Sequence, residues 1–339
     1  MDASVERVAT IFLASAVGCL LLGRRAIEGL IAMRWRQPMR HEDCPPLKPL
    51  QEDKQGTPTM GGILVLGIAS GVAAVCGGLS RFEGWLVLGA SVALGIVGLS
   101  DDRLKLTRPN AAGLRCLPKL IMALGVGGIV GLVLADPRLG YRQILAPWLG
   151  RGIEPGWLWV PLAAVVVAGC SHAVNLTDGM DGLAVGMLAI AFGVVGMVGA
   201  DLQLSMGAQG GSGQLIVAIW CASLAGACVG FLWFNCFPAS VFLGDVGALG
   251  LGAALGVLAL LSHAALALLV VGGVFVAEAL SVILQVASYR WRHQRRIFRV
   301  APLHHHFHLG GMAEQKVVVR FWIVGLLLAA LGLTAFARS

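Results

Sequence analysis

Aspartate stands in this chain at places where an otherwise apolar sequence has little structural use for it. Asp101 and Asp102 are adjacent, Asp178 and Asp181 are three apart, and Asp245 closes a stretch interrupted by Pro238 and Gly244. Adjacent carboxylates attract a hard divalent cation, and Lys105 follows the first pair closely. A solvated helix end accounts for one acid after the apolar run GIVGLS, but less well for two. In Asn175-Leu-Thr-Asp178-Gly-Met-Asp181-Gly the acids would share a face if the segment were helical. Its two glycines and its asparagine instead favour a tight polar turn with free backbone amides. The stretch Asn235 to Asp245 reads NCFPASVFLGD. It suggests a broken helix, and at membrane depth irregular backbone is tolerated only where it lines a cavity. Asp245 would sit at the rim of that cavity, with Phe242 offering an aromatic face.

Two further segments suit protons and anions. His304, His305 and His306 are consecutive, with His308 just beyond. Three adjacent imidazoles rarely converge on one zinc, and neither HExxH nor a CxxC pair is present; proton or anion handling fits them better. The run Lys54-Gln-Gly56-Thr57-Pro58-Thr59-Met60-Gly61-Gly62 leads into an apolar stretch. Free amides at a helix N-terminus beside a lysine make an anion site. The lack of a Walker A sequence disfavours an ATPase. Carboxylates for a metal, amides and lysine for phosphate, and imidazoles for protons are the equipment of phosphoryl transfer, where positioning and charge neutralisation dominate.

The elements that must position these groups are membrane helices. The 339 residues are 57% hydrophobic and only 13% charged, with a mean hydropathy of +0.82; soluble domains carry about 25% charged residues. Apolar runs of about 20 residues recur, whereas the ~10-residue alternating segments of a β-barrel do not. The expected fold is all-α, a polytopic membrane protein with about ten spans in one integral membrane domain over residues 1–339. The spans are placed at 8–28, 60–79, 84–100, 118–135, 157–174, 183–200, 214–234, 240–261, 264–289 and 317–336. The first run has no small-residue cleavage site and reads as a retained span. Many Gly and Ala allow close helix approach in lipid. Cys19, Cys76, Cys170, Cys221 and Cys228 lie in apolar runs, while Cys44, Cys116 and Cys236 lie in or near loops; no disulfide framework is implied.

Charge sets the sides. Loops after the odd-numbered spans, with their flanks, hold 19 of the 25 Lys and Arg. They are Arg24, Arg25, Arg34, Arg36, Arg40, Lys48, Lys54, Arg103, Lys105, Arg108, Arg115, Lys119, Arg290, Arg292, Arg295, Arg296, Arg299, Lys316 and Arg320. The other side has Arg7, Arg81, Arg138, Arg142, Arg151 and Arg338. Positive residues stay cytoplasmic, so the segments near 29–59, 101–117, 175–182, 235–245 and 290–316 face the cytoplasm and both termini face outward. All five chemical motifs therefore share one face. The net charge of +7 reads as topology signal and anionic lipid contact rather than nucleic-acid binding.

KQGTPTMGG, DDRLK, NLTDGMDGLA, FLWFNCFPASVFLGDVGALGLG, EALSVILQV and RIFRVAPLHHHF together resemble the phospho-N-acetylmuramoyl-pentapeptide transferase family. That family is a branch of the polyprenyl-phosphate N-acetylhexosamine-1-phosphate transferases. The likeness runs in order from about Lys54 to Arg320, and TPTMGG and the triple histidine are particular to the muramoyl branch. The resemblance implies a ten-helix, commonly dimeric, Mg²⁺-dependent enzyme of the bacterial cytoplasmic (inner) membrane, acting in peptidoglycan synthesis. It moves phospho-MurNAc-pentapeptide from UDP-MurNAc-pentapeptide to undecaprenyl phosphate, releasing lipid I and UMP. By motif position the resemblance makes Asp101, Asp102, Asp245 and His304 catalytic, with Asp245 the metal ligand. Lys54, Thr59, Lys119, Asn175, Asp178, Asp181, Asn235, Phe242, His305 and His306 would bind substrate. The chain departs from the family pattern at His172 (usually Asn), Ala248 (usually Ser) and His308 (usually acidic), and Pro109 and Ala112 replace basic residues.

The sequence leaves two mechanisms open: direct attack by the lipid phosphate on the β-phosphorus, or a covalent aspartyl intermediate. A sister transferase using UDP-GlcNAc is disfavoured by the histidine segment. An ion-coupled transporter would place acids near mid-membrane, often in internal repeats, and here they cluster at span ends. A non-catalytic assembly scaffold has no need of acids in several loops.

Overall fold

The computed structural model describes residues 3–33, 35, 54, 56–107, 113–146, 148, 151–210 and 212–334. Arg34, Arg36, Arg40, Cys44, Lys48, Arg108, Pro109, Ala112 and Arg338 lie outside the described residues. The helices are α1 (Ala3–Ala32), α2 (Gly62–Val75), α3 (Phe82–Thr107), α4 (Cys116–Leu134), α5 (Trp159–Thr177) and α6 (Leu183–Gly210). They continue with α7 (Ser212–Asn235), α8 (Gly244–Leu261), α9 (Leu268–Val271), α10 (Gly273–Trp291), α11 (Leu303–His308) and α12 (Glu314–Leu333). Among the described residues, eight helices are long and apolar enough to cross a membrane, and there are two shorter apolar stretches, Gly62–Val75 and Leu183–Gly199. The all-α polytopic reading holds, and each of the ten expected spans corresponds to a helix.

Three details differ from expectation. The second span shortens to the 14 residues of α2, roughly 21 Å of helix against a hydrocarbon core of about 30 Å, because Cys76 to Ser80 turn tightly back. The ninth breaks at Gly272, which caps α9 before α10 begins. A small antiparallel hairpin, β1 (Ile144–Ala146) with β2 (Arg151–Ile153), joins α4 to α5; three residues per strand give too little alternation to be read from sequence.

The bundle is organised around α8, in which every residue from Val246 to Leu261 is buried. Helices α3 and α5 pack along it, α4 packs on α5, and α7 packs on both α1 and α6. The approach is close because glycines face backbone. A methyl group at Gly62 would overlap the Cα of Gly247, and one at Gly98 would overlap the carbonyl of Asp245. This is helix packing by small residues, the usual solution where lipid removes the hydrophobic drive between helices. Gly62→Val is expected to lower stability by about 1–3 kcal/mol, seen as a lower unfolding midpoint in detergent. Gly67→Ala, where a new Cβ meets open space, should leave the midpoint unmoved.

At the start of α3 a second polar cluster pins the hairpin. Buried Glu83 accepts from Tyr141 Oη at 2.9 Å and pairs with Arg81 at 3.3 Å. The Tyr141 ring stacks on His263. The opposite end of α3 carries Asp101 and Asp102, so this clamp and the acidic cluster lie at opposite ends of one rigid helix.

Candidate active site

Asp101 and Asp102 are not in a loop. Helix α3 runs on to Thr107, with Asp101 and Lys105 paired one turn apart along it. Neighbouring helical residues point about 100° apart, so the two carboxylates meet different partners. Asp101, with no exposed surface, accepts from the Leu114 amide. Asp102 accepts from the amide of Val246 at 3.2 Å, in the first turn of α8. That turn also carries Asp245, placed by Gly244 at φ +76°. A side chain at 244 would crowd Asp102 Oδ2, Thr59 Oγ1 and the Met60 amide.

One ligand oxygen from each of Asp101, Asp102 and Asp245 lies within 4.8 Å of the others. Two ammonium groups stand among them. Lys105 Nζ is 2.5 Å from Asp101, 3.0 Å from Asp245 and 3.8 Å from Asp102. Lys119 Nζ is 3.2 Å from both Asp101 and Asp245. The trio thus holds cationic charge already, and its hard, converging oxygens suit a hard divalent cation.

A second group lies alongside. Lys54 Nζ is 2.7 Å from Asp181 Oδ1 and 2.6 Å from Glu314 Oε1. Glu314, at the start of α12, also accepts from the Asp181 amide at 2.9 Å, and Asp181 accepts from Ala239. Asn235 spends its amide on backbone, accepting from Gly182 and donating to the Val241 carbonyl. It thereby ties the broken α7–α8 connection to the Asp178–Asp181 turn. The segment before α2 is fastened to the same connection: the Phe242 amide donates to Pro58, and the Gly61 amide to Phe242. Thr59 is buried here.

Asp178 lies between the groups. Burial, then the charges of Asp245, Asp102 and Asp181, push its carboxyl up to about 8. His304 is fully buried, 3.3 Å from Glu278 of α10. His305 packs at 4.1 Å between ring centroids from His304. Burial first, then His304, His308 and Lys54, lower His305 to about 3. His306 turns the other way: its Nδ1 accepts from the Arg299 amide, outside the contacts of the acidic trio. Asn175 is half-buried in the last turn of α5, with no side-chain hydrogen bond among the described residues.

Lys105, Glu314 and Glu278 are not among the site residues that the sequence singles out. The i,i+4 spacing of Asp101 and Lys105 was a usable signal for the first; the other two acids carry no local one.

These shifts give stability opposite pH dependences. The folded chain holds the Asp178 proton more tightly than the unfolded chain, whose ordinary value is 3.8. Its contribution is complete below that value and is lost as pH rises through about 8. His305 resists its proton, so its contribution is complete above 6.5 and is lost as pH falls toward 3. In EDTA, Asp178→Asn should raise the unfolding midpoint at about pH 9 and leave it unchanged near pH 4. An equal rise at both would contradict the assignment.

A family model described as Glycosyl transferase family 4 matches residues 84–263, the stretch that contains all five aspartates discussed above. A Phospho-N-acetylmuramoyl-pentapeptide-transferase signature matches residues 54–66, the segment with Lys54, Thr59 and the start of α2. The phospho-N-acetylmuramoyl-pentapeptide-transferase of Thermodesulfovibrio yellowstonii is 43% identical over 297 residues, covering 83% of this chain and 80% of its own. That of Methylacidiphilum infernorum is 41% identical over 334 residues, 95% and 90% respectively. That of Pelobacter propionicus is 40% identical over 324 residues, 93% and 88%. Similarity of this depth, over nearly the full length and including the segments that build the acidic pocket, means that the chain belongs to the phospho-N-acetylmuramoyl-pentapeptide-transferase family.

Proposed function

We propose that this chain transfers phospho-MurNAc-pentapeptide from its UDP carrier to undecaprenyl phosphate, giving lipid I and UMP. It works as one integral membrane unit, with the pocket facing the cytoplasm from the bacterial inner membrane. The observation that carries the chemistry is the convergence of Asp101, Asp102 and Asp245 within 4.8 Å around Lys105 and Lys119. The concentration of Lys and Arg in the odd-numbered loops supports the sidedness.

The acceptor is a phosphate monoester with a second pKa near about 6, so it is largely dianionic at neutral pH and needs little help from a base. A lipid phosphate oxygen forms a bond to the β-phosphorus, the bond from that phosphorus to the bridging oxygen breaks, and UMP leaves with that oxygen. The task left to the protein is to bring two anions together. Lys105 and Lys119 supply positive charge beside the acids, and Lys54 supplies it beside Asp181 and Glu314. Asp245, with Asp101 and Asp102, would hold Mg²⁺, which when bound supplies charge neutralisation at the diphosphate. The turn Asp178–Asp181, Thr59, Asn175, Phe242 and His305 would line the nucleotide-sugar pocket.

The direct route is favoured over a covalent aspartyl intermediate. The acceptor phosphate is itself a largely dianionic nucleophile at neutral pH, so no carboxylate is needed to carry the phosphoryl group. Purified protein given UDP-MurNAc-pentapeptide, undecaprenyl phosphate and Mg²⁺ should release UMP, and UDP-GlcNAc in place of the first should not support release. Equal turnover of both sugars would sink the muramoyl assignment, and an aspartyl-phosphate trapped without lipid would sink the direct route.

A further inference from the structure

One face of α10 carries a ladder of polar side chains that grips the returning segment before α11. Ser288 Oγ donates to the Arg295 carbonyl at 2.8 Å. The Gln285 side chain accepts from the amides of Ile297 and Phe298 and donates to the Phe298 carbonyl, all at 3.0 Å. Two turns earlier on the same helix, Glu278 Oε1 accepts from the His304 amide at 3.2 Å. Seven and three residues separate these positions, so they share a face. Ser288 and Gln285 anchor backbone near the open end. Glu278 differs, because it is fully buried and its second oxygen has no hydrogen-bond partner.

His304 is equally buried, and neither ring nitrogen makes a hydrogen bond. Its Nδ1 lies 3.3 Å from Glu278 Oε1, in reach but imperfectly aligned. On the far side, Nε2 lies against Gly179: a methyl group at 179 would overlap Nε2 and Cε1. The imidazole is therefore wedged between a buried carboxylate and the turn that carries Asp178 and Asp181. A buried carboxylate is costly unless it is paired, and here the only ring it can pair with is the one seated on that turn among the described residues.

We infer that Glu278 is a positioning residue. It holds His304 in the tautomer with the proton on Nδ1, as a buried carboxylate orients an imidazole elsewhere, and the oriented ring braces the Asp178–Asp181 turn against the pocket. On the transferase reading above, His304 then acts through the turn rather than on the reacting phosphate. Loss of Glu278 is felt as weaker capture of the nucleotide sugar more than as slower chemistry.

The test uses full-length protein labelled with imidazole-¹⁵N histidine, with Glu278→Gln as the main variant. In the native protein the His304 signal, assigned by its loss in His304→Asn, should show a protonated Nδ1 and an unprotonated Nε2. Glu278→Gln should abolish that pattern, raise KM for UDP-MurNAc-pentapeptide about tenfold or more and lower kcat much less. In the His304→Asn background the same substitution should add nothing. Gly179→Ala, which pushes the ring from the opposite side, should raise KM in the same way and serves if Glu278→Gln does not fold. An unchanged tautomer, additive effects in the double variant, or a loss confined to kcat would each overturn the inference. The ¹⁵N signal does not depend on turnover, so a protein that shows the native tautomer yet releases no UMP would count against the transferase reading and leave the Glu278–His304 pairing standing.

Discussion

Asp245→Asn is expected to lower UMP release by about 10³-fold or more, with no recovery at any Mg²⁺ concentration. The asparagine keeps size and shape but removes the negative charge that Lys105 and Lys119 share at 3.0 and 3.2 Å. It also removes one of three oxygens poised for a divalent ion. Because Asp245 opens α8, its backbone is fixed by Gly244 and by the contact with Gly98. Steady-state assays across a wide Mg²⁺ range decide the matter. Activity restored at high Mg²⁺ would mean that Asp245 only tunes metal affinity.

The second large effect falls on stability. Lys54→Met leaves Asp181 and Glu314 as carboxylates buried to within a few per cent of complete, without the ammonium that both approach. Removing one partner of such a buried set costs about 3–5 kcal/mol, so the unfolding midpoint in detergent should drop by many degrees. Pairing Lys54→Met with Glu314→Gln should recover part of that loss, because one of the stranded charges is gone. A midpoint that barely moves in the single variant would show that solvent reaches this network freely.

Much of this arrangement was legible in the residue order. Ten apolar stretches, the break at Pro238 and Gly244, the turn at Asp178–Asp181 and the convergence of the motif segments all follow from hydropathy, turn chemistry and charge placement. What periodicity cannot supply is the identity of distant partners. Glu314 meets Lys54 across 260 residues, and nothing near either announces the other. Glu278 is hidden in EALSVILQV, where a lone acid in an apolar run gives no hint of which ring it faces. Hydropathy falls at Ser100 and points to a loop for the Asp pair, yet hydrogen bonding carries α3 seven residues further. Hydropathy reports where lipid ends, not where a helix does. Adjacency groups His306 with its two neighbours, but adjacent positions on a helix face different ways, and its ring closes the Arg299 strap instead.

The two lysines lodged among three aspartates make the resting pocket a nearly self-compensated salt. A bare divalent ion arriving there must compete with resident ammonium groups, so its hold is weak until something gives those ammoniums another anion to neutralise. On the proposed function, the diphosphate of the nucleotide sugar would be that anion. Metal retention would then tighten when substrate is bound, and Lys105 and Lys119 balance the aspartates' charge in its absence.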